Sequence, residues 1–175
     1  APVLNATPSP ATGVSITPLE GTVTTDFSCT FDAGSSSDAD GDELAYQVIW
    51  VVNGFENPGT TSTTVTAGQL QSAPGGPTLA QKGDELLCRV RVSDGESNSA
   101  ATDSLEVTLA NAAPSGGAVL VGPAGAKIAD TLECSASGAL DPDGDEVAWS
   151  YTWTVDGTPI PDATHSTYSV IAELD

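Results

Sequence analysis

Basic side chains are scarce in this 175-residue sequence: four Lys and Arg stand against 24 Asp and Glu, a formal charge of -20. Such a surface repels nucleic-acid phosphates and anionic lipid, so no nucleic-acid partner is expected. No apolar run approaches the roughly 18 residues of a spanning helix, and none is expected to insert in a membrane. Methionine is absent, and no basic-then-apolar leader opens the chain. A start at Ala1-Pro2-Val3-Leu4 reads as a processed form or an excised piece, so the missing leader does not argue for the cytoplasm. The single histidine, His165, lies in a Ser/Thr-rich stretch without an acid to orient it, the setting of an exposed residue rather than a catalytic base. Nucleophile elbows, phosphate loops and His/Cys ligand clusters are all missing. No enzymatic activity is therefore expected.

What is present points to strands. Hydrophobic residues make up 39% of the chain, enough for a packed core, and they fall in short alternating runs broken by 18 Gly and 12 Pro. Phe27, Cys29 and Phe31 share one face of a strand. Leu44, Tyr46, Val48, Trp50 and Val52 share a face of the next, and Leu86, Cys88, Val90 and Val92 one of a third. Leu105, Val107 and Leu109 read as a closing strand, after a hairpin turn at Ser93-Asp94-Gly95-Glu96. The chain also repeats itself. Asn5-Ala6-Thr7-Pro8-Ser9 recurs as Asn111-Ala112-Ala113-Pro114-Ser115. Asp40-Gly41-Asp42-Glu43 and Trp50-Val51-Val52-Asn53-Gly54 recur 103 positions later as Asp143-Gly144-Asp145-Glu146 and Trp153-Thr154-Val155-Asp156-Gly157.

The order of Cys strand, Trp strand and Cys strand resembles immunoglobulin-type sandwiches, in which a buried Trp packs on a disulfide joining two sheets. Cys29, Trp50 and Cys88 fill those roles, which implies a Cys29–Cys88 bridge. The fold class expected is all-β: tandem immunoglobulin-like β-sandwiches, the second incomplete. Residues 1–110 form the complete repeat, with 1–4 the end of a preceding repeat or linker, and 111–175 the N-terminal part of a second. Cys134 is the second copy's counterpart of Cys29, and its partner is expected outside the chain. A longer array in cis, strands supplied in trans by another chain, or a second copy that folds alone with a free thiol would each account for it. Trp153 and Trp149 are expected in the core of the second copy.

The whole chain resembles the tandem Ig-like and PKD-type repeats of secreted and surface bacterial proteins. The resemblance rests on the Asn-x-Ala-Pro linkers, the Asp-x-Asp-Gly-Asp-Glu loops, the Trp-x-Val-Asn/Asp-Gly turns, Lys82-Gly83-Asp84-Glu85-Leu86-Leu87-Cys88 and Val92-Ser93-Asp94-Gly95. The Trp-x-Phe-Gly-Asp-Gly stretch of PKD domains proper is replaced, and the cysteine pair favours the Ig-like side. The resemblance implies spacer, stalk, adhesion or filament roles without catalysis.

The acids cluster in two loops, Asp38, Asp40, Asp42 and Glu43, then Asp141, Asp143, Asp145 and Glu146. Carboxylates at alternate positions around a turn glycine suit a hard cation that takes 6–8 oxygens, and calcium is the expected cofactor. The bland reading is a solvated acidic turn, since Asp-Gly is itself a favoured turn pair. Asn5 and Asn111, one before each loop, are expected carbonyl ligands that would tie the linker to the loop. Solubility or a saline habitat would also favour so many acids. The function expected is a calcium-stiffened segment of an extracellular or cell-surface stalk, adhesin or filament. Its partners would be neighbouring repeats in cis or identical subunits in trans. The alternative is an accessory carbohydrate- or protein-binding module of a secreted enzyme. Asn5-Ala6-Thr7 is also a glycosylation sequon, and Thr60-Thr61-Ser62-Thr63-Thr64 a stretch able to carry sugar.

Overall fold

The computed structural model describes residues 4–73 and 78–171. The chain divides into two units, Ala1–Ala112 and Ala113–Asp175. Both are built of antiparallel strands, and no α-helix occurs among the described residues, in keeping with the all-β class expected.

In the first unit the strands are β1 (Thr12–Thr17), β2 (Asp26–Asp32), β3 (Ala45–Val52), β4 (Phe55–Asn57), β5 (Thr64–Thr66), β6 (Glu85–Ser93), β7 (Thr102–Asp103) and β8 (Val107–Thr108). One sheet has the order β1-β2-β5, the other β4-β3-β6-β7, with β8 also on β6. Alternation decides which side chains meet between them. Phe27 and Cys29 of β2 join Val48, Trp50 and Val52 of β3 and Leu86, Cys88, Val90 and Val92 of β6 in one buried cluster. A Cys29–Cys88 disulfide, with Cα atoms 5.9 Å apart, crosses from β2 to β6. Two sheets on a shared core joined in this way are consistent with a β-sandwich. Trp50 is fully buried, and its Nε1–H would be costly without an acceptor; it donates to Ser62 O at 2.9 Å. The β3–β4 turn is Asn53-Gly54, both at positive φ, which a two-residue hairpin requires and Asn-Gly tolerates best.

The closing strand departs from the alternation read along it. Val107 and Leu109 are buried, but Leu105 is 73% exposed. On β6, Arg89 pairs with Asp103, yet Leu86 pairs with Val107, so one extra residue is held between the two pairings. The Ser104 hydroxyl accepts from Cys88 N at 3.1 Å, and Ser104 N donates to Cys88 O, filling the gap in the ladder. Such a bulge reverses the facing of what precedes it, and Leu105 turns outward with Asp103.

The outer face of the β3–β6 sheet is also partly closed. Ile49, Val51 and Leu87 form a second small buried cluster there. Beside it Glu56 of β4 receives both Arg89 and Arg91 of β6, at 2.7 and 2.6 Å, and Arg89 also pairs with Asp103 of β7 at 2.6 Å. Three strands, β4, β6 and β7, are thus tied by charge-assisted bonds that reach across β3.

The second unit contains β9 (Ser115–Gly122), β10 (Thr131–Leu140), β11 (Thr154–Val155), β12 (Thr158–Pro159) and β13 (Thr167–Ser169). Its main sheet has the order β13-β10-β9, and β11-β12 is a separate hairpin. None of its described residues is buried. The expectation that Trp149 and Trp153 are core is therefore corrected: Trp149 is 40% exposed and Trp153 half-buried against Tyr168, ring centroids 5.6 Å apart. The reason lies in the neighbours. Residues 145–153 form no strand, whereas the matching β3 of the first unit is flanked by β4 and β6.

Candidate metal centre

The first acidic loop lies between β2 and β3. Asp38 organises it: its Oδ1 accepts from the amides of Asp40, Gly41 and Asp42 at 2.8, 3.1 and 3.4 Å. Gly41 sits at φ +82, a left-handed conformation that a side chain would strain, so the tight reversal needs glycine here. With one carboxylate oxygen held by backbone donors, the other, Oδ2, is buried and has no hydrogen-bond partner. An orphaned carboxylate oxygen is costly unless something positive meets it.

Asp38, Asp40 and Asp42 each offer one oxygen within 4.8 Å of the others, and Asp141, Asp143 and Asp145 do the same. Oxygens bound to one calcium at about 2.3–2.6 Å lie no more than about 4.6–5.2 Å apart, so each trio fits a single ion. All donors are oxygen, as a hard cation prefers. The second loop has the same scaffold, with the amides of Asp143 and Asp145 donating to Asp141 Oδ1 at 2.8 and 3.3 Å and Gly144 at φ +78. Glu43 and Glu146 are exposed and stand outside the trios.

The N-terminal segment of the first unit is fastened to this loop directly. Ala6 N donates to Asp40 Oδ2 at 2.6 Å, Ser9 N to Ser37 O at 2.9 Å, and Ser37 N to Ser9 Oγ at 2.8 Å. The Asn5 side chain goes to the neighbouring hairpin turn instead, donating to Asp94 Oδ2 and Ser97 Oγ at 3.1 and 3.2 Å. The Asp94 carboxyl is held well below its usual range, chiefly by the Ser97 amide, with the Ser97 hydroxyl, Asn5 and the Glu96 amide adding to it against a desolvation that opposes. Asn111 Oδ1 accepts from Lys82 Nζ at 3.2 Å, and its amide donates to Ala112 O. Cys134 on β10 carries a half-buried free thiol. His165 enters through its backbone, whose carbonyl accepts from Trp153 Nε1 at 2.8 Å.

The charged group on the outer face, Glu56, Arg89, Arg91 and Asp103, is the feature the sequence reading passed over. Its only signal was the pair Arg89 and Arg91 at alternate positions of an apolar strand; their acids come from β4 and β7. Arg89 and Arg91 hold the Glu56 carboxyl low, and Arg89 does so for Asp103, while those acids push the Arg89 guanidinium up.

No family model, no curated protein and no solved structure matches the chain.

Proposed function

We propose that this chain is a segment of tandem immunoglobulin-like repeats in an extracellular or cell-surface stalk, adhesin or filament, with each joint stiffened by calcium. The observation that carries the reading is the union of acidic loop and leading segment: Ala6 is hydrogen-bonded to Asp40, a member of the Asp38/Asp40/Asp42 trio. An ion on the trio would draw the loop together and fix the segment that Asp40 holds, which is how a cation stiffens a joint. Calcium would be held by Asp38, Asp40 and Asp42, and by Asp141, Asp143 and Asp145 in the second unit. Its contribution is charge neutralisation and coordination.

The tandem reading draws support from matching local bonds. Trp50 Nε1 donates to Ser62 O and Trp153 Nε1 to His165 O, at 2.9 and 2.8 Å. Cys29 N donates to Thr63 O and Cys134 N to Ser166 O, each at 2.7 Å. Asn53-Gly54 and Asp156-Gly157 make the same positive-φ turn. The disulfide supports an oxidising, extracytoplasmic setting. An accessory binding module would be favoured by an aromatic strip on an outer sheet face; the outer face of β3–β6 carries Glu56, Arg89, Arg91 and Asp103 instead, which supports the structural role.

The test is calorimetric titration of the full chain with calcium, alongside Asp38→Asn and Asp141→Asn. Saturable binding at or below millimolar calcium is expected, with one class of site lost in each variant. Absence of binding at several millimolar calcium would remove the stiffened-joint reading and leave the loops as solvated turns.

A further inference from the structure

Two consecutive residues of the N-terminal segment bridge two turns of the first unit. Ala6 N donates to Asp40 Oδ2 in the acidic loop at 2.6 Å, while the Asn5 carboxamide donates to Asp94 Oδ2 and Ser97 Oγ in the turn after β6, at 3.1 and 3.2 Å. That second turn holds its shape through its own residues. Asp94 Oδ1 accepts from the amides of Glu96 and Ser97 at 2.8 and 2.6 Å, and Asp94 Oδ2 from the Ser97 hydroxyl at 2.8 Å. Ser93 Oγ donates to Ser97 O at 3.1 Å and accepts from Gly95 N at 3.2 Å. With its proton given to Asp94, the Ser97 oxygen shows Asn5 only lone pairs. Two fixed acceptors therefore face residue 5, and the two hydrogens of a carboxamide nitrogen satisfy both. A carboxylate there would face Asp94 with like charge, and an apolar side chain would leave both acceptors unmet.

We propose that Asn5 is a latch, and that Asp94, through it, is a positioning residue for the cation site of the first acidic loop. The turn fixes the Asn5 side chain, the next peptide unit presents Ala6 N, and Ala6 N holds one oxygen of Asp40. The second oxygen of that carboxylate is thereby held in a set direction. A ligand oriented in advance does not have to be ordered when the ion arrives, and partners that orient ligands sustain metal affinity without touching the metal. The coupling runs both ways, since an ion that fixes Asp40 also strengthens its hold on Ala6. Calcium at the loop thus tightens the whole of the segment from Asn5 to Ser9, whose far end is bonded to Ser37.

The inference rests on the calcium reading of Asp38, Asp40 and Asp42, and it assigns residue 5 a role other than that of a ligand. The two roles differ in sign for one substitution. If residue 5 were a ligand, Asn5→Asp would tighten calcium binding, because a carboxylate suits a hard cation better than a carboxamide. If residue 5 is a latch, Asn5→Asp loosens binding, because the new charge is repelled from Asp94 and frees Ala6.

The test uses the full chain carrying Asp141→Asn, so that the Asp38 loop is the site titrated. Calorimetric titration with calcium chloride is expected to show about tenfold weaker binding in Asn5→Ala, Asn5→Asp and Asp94→Asn. Glu96→Gln, which removes a neighbouring exposed charge and leaves the latch in place, should leave the affinity unchanged. Tighter binding in Asn5→Asp overturns the proposal in favour of a ligand at residue 5, and an equal loss in Glu96→Gln overturns it in favour of general charge. A second measurement needs no ion. In EDTA, hydrogen exchange at the Ala6 amide, followed by NMR, should quicken about tenfold in Asn5→Ala and Asp94→Asn, with the amides of β3 unchanged. Ala6 exchange equal to that of the parent chain overturns the latch whatever calcium does. A parent chain that binds no calcium, while Ala6 exchange quickens as expected, overturns the stiffened-joint reading and the positioning role of Asp94 with it, but not the fastening of Asn5.

Discussion

The two units share local structure and differ in burial. Trp50 and Trp153 make the same indole-to-carbonyl bond twelve residues along, yet Trp50 is wholly buried and Trp153 is not. Turn chemistry, the acidic loops and these single bonds form from residues close in sequence. Burial requires the second sheet: in the first unit β6 contributes Leu86, Cys88, Val90 and Val92 to the cluster that encloses Trp50. Of the two, local order is the more easily achieved and gives the less stability, because most of the favourable free energy comes from apolar surface removed from water.

That contrast can be broken experimentally. Trp50→Ala should destabilise the first unit by about 3–5 kcal/mol. Trp153→Ala should cost the second unit far less, read by urea unfolding with hydrogen exchange resolved by unit; equal losses would mean the two cores are equally packed. Reducing the Cys29–Cys88 bridge should cost the first unit about 2–4 kcal/mol, with the second unchanged. Calcium at a hundredfold its dissociation constant should add about 2.7 kcal/mol to whichever unit binds it. Asp38→Asn should remove that gain from the first unit alone and Asp141→Asn from the second, so a single shared response would erase the distinction.

The smallest effect belongs to the outer-face charges. Glu56→Gln should cost the first unit about 1 kcal/mol at neutral pH, since the group is partly exposed and screened. Arg89 foremost, then Arg91, lowers the Glu56 pKa below its ordinary value of 4.5. A lowered folded value means the stabilisation is present above 4.5 and is lost as pH falls through the folded value. The gap between wild type and variant should hold from neutral pH to about pH 5 and shrink as pH falls below 4.5. A gap that widens in acid would sink the assignment.

Much of the first unit was legible along the chain. Phe27, Cys29, Val48, Trp50, Val52, Leu86, Cys88, Val90 and Val92 alternate in sequence, and alternate residues of a strand share a face. The Asp38 loop was legible for a similar reason, since Asp-x-Asp-Gly-Asp confines its three carboxylates to five residues. Leu105 was not: its outward turn depends on one residue held between the Arg89 and Leu86 pairings, and no local pattern announces which residue a partner strand will skip. Asn5 was not either, because the choice between the Asp38 loop and the Asp94 turn is made where two loops meet.

The sequence by itself determined the all-β class, the inward faces of the main strands and the two acidic loops, because each follows from the two-residue period of a strand or from short-range turn chemistry. Tertiary structure alone decided the side-to-side tie of Glu56 and Asp103 to Arg89, the attachment of Ala6 to Asp40, and the unequal burial of two tryptophans at matching positions. Those outcomes depend on which distant strand comes to lie alongside, a fact that no local spacing contains.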